Sequence, residues 1–373
     1  MMEAIRLWED IDTELGGSTG FVRTGTTYLA SSEQELSDMS DWLSIAKANG
    51  LKSSNLSSSQ IDTLVDRPSG YQKHKWAGGI HTASDARAEP WKAVPAVARL
   101  AQKEGARIRE NCAVRTLASH DGQVRAVYTE SGKISTNHVV LAGGAWSSLF
   151  CQRHGISIPQ LSIKATVART AQLPDFHSGC AVDEQFAFRR REDGGYTIAV
   201  ADNQEFYLGP DALRHSKHYL PVAKRSFKAT TLRWVAPTGF PDQWRVSRSW
   251  GRDEKSPFET TRVLDPEPNM KSIARAQDLF AKRFPDVGRP KILDSCAGMV
   301  DAMPDVVPIV DKHPQFEGFV IATGMSGHGF GIGPGIGKAV ANLVVGNPTG
   351  HDLARFRFAR FTDGSLLKLG PGL

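Results

Sequence analysis

The sequence predicts an α/β fold: a strand-and-helix layer interleaved with a broad, mixed, mostly antiparallel sheet. Three observations carry that expectation. The apolar run Phe319-Val320-Ile321-Ala322 stops at a glycine-rich turn that feeds an apolar helix, Ile336 to Val345. Strand, glycine loop and helix is the arrangement that aims backbone N–H groups at an anion. A second apolar strand, His138 to Ala142, also ends in glycines, Gly143-Gly144. Between these segments, from Ile156 to about Trp250, lie β-prone runs such as "LSIKATVART", "FAFRR" and "YTIAV", which read as one sheet.

The elements follow in order. Ala4, Ile5, Trp8, Ile11 and Leu15 share one helical face, and Gly16-Gly17 ends that helix. "GFVRTGTTYLAS", Gly20 to Ser31, reads as a strand. Glu33 to Asn49 form an amphipathic helix with Leu36, Met39, Leu43 and Ala46 on one side. Serines in "NLSSSQIDTL" cap a short helix at Gln60. Pro90 or Pro95 opens a helix that runs to about Glu104, and Gly105 closes it. A strand to Leu117 and two hairpin strands, turning at Asp121-Gly122 and Ser131-Gly132, lead into the buried strand His138 to Ala142. "KSIARAQDLFAKRFP" is a helix ended by Pro285.

Composition narrows the classes of function. With 373 residues, 40% hydrophobic and 23% charged, the chain is an ordinary globular protein of one large domain or two interleaved ones. The net charge of +5 is diffuse, and Glu192 and Asp193 follow the one basic run, Arg189-Arg190-Arg191, so no nucleic-acid partner is expected. Cys112, Cys151, Cys180 and Cys296 have no C-x-x-C or zinc spacing, which points to a reduced, cytoplasmic setting without a metal site. No apolar run approaches the roughly 18 residues of a transmembrane segment, and the first residues are not a signal peptide.

Two segments stand out: "VVLAGGAWSS" (Val139 to Ser148), and "CAGMVDAMPDVVPIVD" (Cys296 to Asp311) leading into "GMSGHGFGIGPGIG". Each alone reads as a tight turn or a close helix–strand contact. In this order they resemble the D-amino-acid oxidase-like family of FAD-dependent oxidoreductases, which includes glycine oxidases, sarcosine oxidases and D-amino-acid dehydrogenases. The resemblance covers most of the chain. It implies that Val114, in "AVRTL", reads the adenine, and that Ala142, Gly143, Gly144 and Trp146 lie under the ribose and pyrophosphate. "MPDVVPIVD" is similar to the family's T-P-D-x-x-P-x-I, with Met303 in place of Thr. Gly324, Met325, Ser326, Gly327, His328, Gly329, Phe330 and Gly331 would form the loop and helix start under the flavin ring. A helix N-terminus there suits the negative charge of reduced flavin.

The implied division assigns residues 1–19, 81–155 and 291–373 to the FAD-binding Rossmann-like layer, and 20–80 and 156–290 to the substrate domain. The implied reaction is oxidation of a C–N bond in an amine or amino acid, with oxygen or another electron acceptor taking the electrons. The covalent flavin cysteine of sarcosine oxidases would fall at Gly298, so Cys296 is not that ligand and FAD is expected to be non-covalent. Substrate-carboxylate arginines of related enzymes fall at Val300 and Gly327, and a lysine at Gly331. Arg189 or Arg190 is the replacement candidate for substrate binding; a solvated charged hairpin accounts for them equally well. His328 is the catalytic candidate and otherwise a loop-fixing residue. Asp301 and Asp305, beside Pro304, read as loop caps, and Trp146 as packing.

The resemblance also implies a strand–G-x-G-x-x-G–helix unit ahead of the first helix. No stretch of the 373 residues has that spacing in that place. The chain as written is therefore expected to hold FAD poorly and to expose strand edges near Val139 to Ala142. The alternative that stays open is an N-terminally truncated, non-catalytic remnant of the family. The residues disfavour an NAD-dependent dehydrogenase using the C-terminal loop: no acidic residue follows a second strand at the distance that enzyme requires.

Overall fold

A computed structural model describes residues 1–65, 75–220 and 230–367. Its organising element is the ten-residue strand Leu161–Thr170. Along its whole length this strand pairs antiparallel with Ile292–Ala302, from Leu161 opposite Ala302 to Thr170 opposite Ile292. Its other edge pairs with Tyr196–Val200 and Gln204–Tyr207. Ten strands result. Thr230–Arg233 extends the sheet beyond Gln204–Tyr207. Phe186–Arg190, Cys180–Val182, Thr26–Ala30, Gly78–Thr82 and Ser53–Ser57 extend it the other way. Two of the pairings are parallel and the rest antiparallel. The predicted broad, mixed sheet is present, and the strand Ile292–Ala302, grouped by sequence with the C-terminal part, lies inside it.

Strand alternation gives this sheet two different faces. On one, the helix Met270–Arg283 packs Ile273, Ala276 and Phe280 against Ala168, Phe186, Phe188, Tyr196 and Ile198. Burial of each large aromatic there contributes about 2–3 kcal/mol. Arg283 is buried in the same layer and reaches Asp183 at 2.9 Å. Thr166 accepts the Asn269 N–H on this face, and Lys164 donates to the Glu267 carbonyl. Ile163, Ala165 and Val167 therefore point to the opposite face.

A second layer lies across that opposite side. Phe319–Thr323 is buried at every position and pairs parallel with Val139–Leu141 and antiparallel with Ile309–Lys312. Gly318 starts this strand with φ +86°, and a Cβ there would lie 2.0 Å from the Asn137 carbonyl oxygen, so only glycine fits. The hairpin strands Val114–His120, Gln123–Thr129 and Gly132–Ser135 cover one face through Leu117, Val124 and Val127. The C-terminal helix, Gly329–Val345, covers the other through Val340 and its neighbours.

The structure departs from sequence expectation at several places. Gly20 to Ser31 is two strands, Val22–Arg23 and Thr26–Ala30, broken at Gly25. The strand expected buried over His138 to Ala142 is Val139–Leu141, an edge strand with Val140 40% exposed. The C-terminal helix begins at Gly329 rather than Ile336, so Gly329, Gly331, Gly333 and Pro334 are helical. Pro334 sits near the helix start, where the cost of a missing N–H is smallest. The first helix is Met2–Glu14, with Ala4 and Trp8 as its buried residues.

Candidate functional site

Where the two layers meet, the turn after Phe319–Thr323 is fixed by the broad sheet. The Asp301 carboxylate accepts the N–H groups of Gly324 (2.8 Å) and Met325 (3.2 Å), and the Asp301 carbonyl accepts that of Ser326 (3.0 Å). Burial pushes the Asp301 carboxyl up from its ordinary value, while the backbone N–H groups pull it down. The Ser326 hydroxyl accepts the Met303 N–H and donates to the Gly324 carbonyl. Gly324 has φ +75°, and a Cβ there would lie 2.3 Å from Met303 Cγ. The loop-cap reading of Asp301 thus has a geometry. Asp305 caps as well, accepting the Val307 N–H and pairing with buried Arg360 at 2.8 Å.

The loop delivers the chain into the N-terminus of the helix Gly329–Val345, whose first N–H groups have no intrahelical partner. His328 is exposed at the helix cap, and its Nδ1 lies 3.3 Å from the Met325 carbonyl. This bond fixes the loop. Phe330 is held by Trp8: the indole donates to the Phe330 carbonyl at 3.1 Å and the rings lie 4.9 Å apart. Gly335 brings the first helix close, since a Cβ there would sit 3.2 Å from Ala4 Cβ.

The glycines do not all serve one purpose. A Cβ on Gly329 would press on Met325 Cβ at 3.2 Å, so that glycine serves loop packing. A Cβ on Gly331, Gly333, Gly144 or Gly298 would meet nothing within 4 Å, and one on Gly327 would meet Val300 Cγ1 alone, at 3.7 Å. At these positions no side chain stands between the backbone and an approaching flat ring. The residues present therefore fit a flavin.

The second glycine turn adjoins the first. Gly143 precedes the short 3₁₀ turn Gly144–Trp146, with Ala142 and Gly143 exposed. Gln160 donates to the Gly144 carbonyl at 2.8 Å and accepts the Thr323 hydroxyl at 2.8 Å. Gln160 and Thr323, both buried, thus bind the two turns into one unit. Sequence reasoning missed them because neither belongs to a motif. Trp146 packs edge-on against Phe258 at 5.6 Å. Val114 begins the hairpin layer, opposite Thr129. Nearby His154 is partly buried and held near a pKa of about 4 by desolvation, and it accepts the Leu117 N–H at 3.2 Å.

Arg189 and Arg190 lie elsewhere. Arg189 is on the face that looks toward the loop, but it aligns through Thr197 with Arg169, four residues along the strand from Ala165 and Gly298. That offset is about 13 Å along the strand and roughly 10 Å across it. Its guanidinium bonds the Ala88 carbonyl and buried Glu89. Arg190 points to the other face, where it bonds the Leu173 and Pro174 carbonyls and stacks on Tyr196. The structure brings neither to the loop.

Comparison with known proteins agrees with this architecture. Mouse sarcosine dehydrogenase is 23% identical over 357 residues, 94% of this chain and 34% of that protein. Human peroxisomal sarcosine oxidase is 23% identical over 275 residues, covering 73% of this chain and 59% of that one. The chain thus spans about a third of the length of the sarcosine dehydrogenase it matches. The L-amino acid deaminase of Proteus myxofaciens superposes with a TM-score of 0.89 over 97% of this chain and 80% of that one, at 24% identity. The family model described as DAO, FAD dependent oxidoreductase, matches residues 1–343, and the chain belongs to that family.

Proposed function

We propose that the protein binds FAD non-covalently and oxidises the C–N bond of an amine or amino acid. The observation that carries this reading is the loop 324–331, where Gly327 faces Val300 alone and Gly331 stands open in the first turn of the helix Gly329–Val345. Bound there, FAD supplies a two-electron acceptor for a hydride from the substrate carbon. The chain's own residues hold that geometry. Asp301 and Ser326 fix the loop, Gln160 and Thr323 fix the turn at Gly144, and the helix N–H groups would stabilise negative charge on a ring held there. Glycine at 298 supports non-covalent attachment, since it offers no nucleophile at the position where sarcosine oxidases carry theirs. His328 positions the loop; it is not assigned as a base. Oxygen or another acceptor takes the electrons.

The test is direct. Protein loaded with FAD is mixed without oxygen with sarcosine, glycine and D- and L-amino acids, and the flavin absorbance is followed. Bleaching by any of them supports the reading; an unchanged spectrum with the whole panel overturns it. Acid precipitation should leave the flavin in the supernatant, and yellow colour in the pellet would refute non-covalent binding.

A further inference from the structure

The sheet face beneath the loop carries a row of apolar side chains that the register aligns across four adjacent strands. Ile163 stands opposite Val300 on one side and Phe206 on the other, and Phe206 stands opposite Leu232. Ile163, Phe206 and Val300 are only partly buried, and Leu232 is 48% exposed. Beside the row, Ala165 stands opposite Gly298, above which there is open space. Val300 ties the row to the loop, being the single atom neighbour a Cβ on Gly327 would meet. The result is a partly exposed apolar strip, with Ala165 and Gly298, the smallest residues on this face, beside its Ile163–Val300 end. Along the central strand the next charge on this face is Arg169, about 13 Å from Ala165, and its guanidinium is stacked on Trp91.

We propose that this row receives the side chain of the substrate, which is therefore an amine or amino acid bearing a large apolar group, aromatic or branched. The proposal rests on the C–N oxidation reading above. Glycine and its N-methyl derivatives have no atoms to place on the row, so its apolar surface stays wet when they bind. A large apolar side chain removes surface from water on both partners, and a gain on the order of 10- to 100-fold over a methyl group follows. A cation beside the strip would work against an apolar group through its desolvation; on this face of the four strands, among the described residues, the one cation is Arg169, at the far end of the central strand.

The experiment compares kcat/KM for flavin reduction by glycine, sarcosine, alanine, leucine and phenylalanine, the last three as both enantiomers. It also measures calorimetric binding of phenethylamine and methylamine. Wild-type, Phe206→Ala and Leu232→Ser proteins are used, with thermal melting to confirm folding; both positions are partly exposed, so the variants should fold. Expected is a rise of at least 10-fold from alanine to leucine or phenylalanine, mostly abolished in Phe206→Ala and reduced in Leu232→Ser. If glycine or sarcosine is oxidised as well as the large substrates, this inference fails while C–N oxidation stands. If nothing is oxidised but phenethylamine binds tighter than methylamine in a Phe206-dependent way, the row is upheld and the reaction assignment falls. Absence of that preference overturns the row as well.

Discussion

Gly331 and His328 are three residues apart and make opposite predictions. Gly331 borders open space, so a side chain there would occupy the room the ring needs without disturbing the fold. Gly331→Val should lower flavin affinity by more than 10-fold while leaving the melting temperature nearly unchanged, as read by fluorescence titration and thermal melting. His328→Ala removes one exposed hydrogen bond to the Met325 carbonyl, a change of about 0.5–1.5 kcal/mol in loop order. It should weaken flavin binding only a few-fold. Normal flavin binding with abolished turnover in His328→Ala would make the histidine catalytic. Gly329→Val, by contrast, should strain the loop itself, because Met325 occupies the neighbouring space.

Partly buried His154 supplies a pH prediction. Its pKa falls from the ordinary 6.5 to about 4 through desolvation, so the folded protein holds it neutral where the unfolded chain protonates it. Stability from this residue is complete above pH 6.5 and is lost as pH falls toward 4. Between pH 7 and 5 the loss is about 2 kcal/mol. His215 acts in the same direction, also near 4. Asp242 opposes them: burial raises its carboxyl to about 6, so its contribution improves as pH falls through that value. Urea midpoints at pH 7 and 5 should show a smaller difference for His154→Gln than for wild type. An equal difference would show that His154 is not the source.

At the scale of elements, the contact between the first and last helices is the most exacting. Gly335 lies against Ala4, Trp8 stacks on Phe330, and Lys338 reaches Glu3 at 2.6 Å. Gly335→Val should push the helices apart at a cost of about 1–3 kcal/mol, and Trp8→Ala should cost about 3–5 kcal/mol. Chemical denaturation measures both, and a Trp8→Ala loss below about 1 kcal/mol would show that this contact does not secure the helix. This region also shows what the sequence could disclose. Trp8 was legible as a buried helical residue because its spacing from Ala4 marks one face. The start of the last helix was not, because four glycines and Pro334 favour loop by intrinsic propensity. Tertiary packing against Trp8 and Ala4 reverses that preference. The broad sheet was legible from its succession of β-prone runs, but its register was not. The Gly298–Ala165 pairing, the distance of Arg189 and the Gln160–Thr323 link are facts of register and long-range contact, with no local signal.

For the whole molecule, two surface features compete to determine self-association. One is the edge of Val139–Leu141, which bonds to Phe319–Thr323 on one side and to no other strand among the described residues. The other is the set of exposed apolar side chains Trp234 (79% exposed), Val235 (84%) and Val263 (77%). An open strand edge offers unpaired N–H and C=O groups in addition to apolar side chains, and so templates ordered addition of another chain. Scattered exposed side chains offer only non-directional attraction. The edge should therefore dominate. Val140→Lys places a charge on that strand at a position already 40% exposed, so folding stability should change by no more than about 0.5 kcal/mol. Light scattering at rising protein concentration should show much less association for Val140→Lys than for wild type, with little change for Trp234→Ser. The reverse order would assign self-association to the Trp234 surface and leave the strand edge without a role.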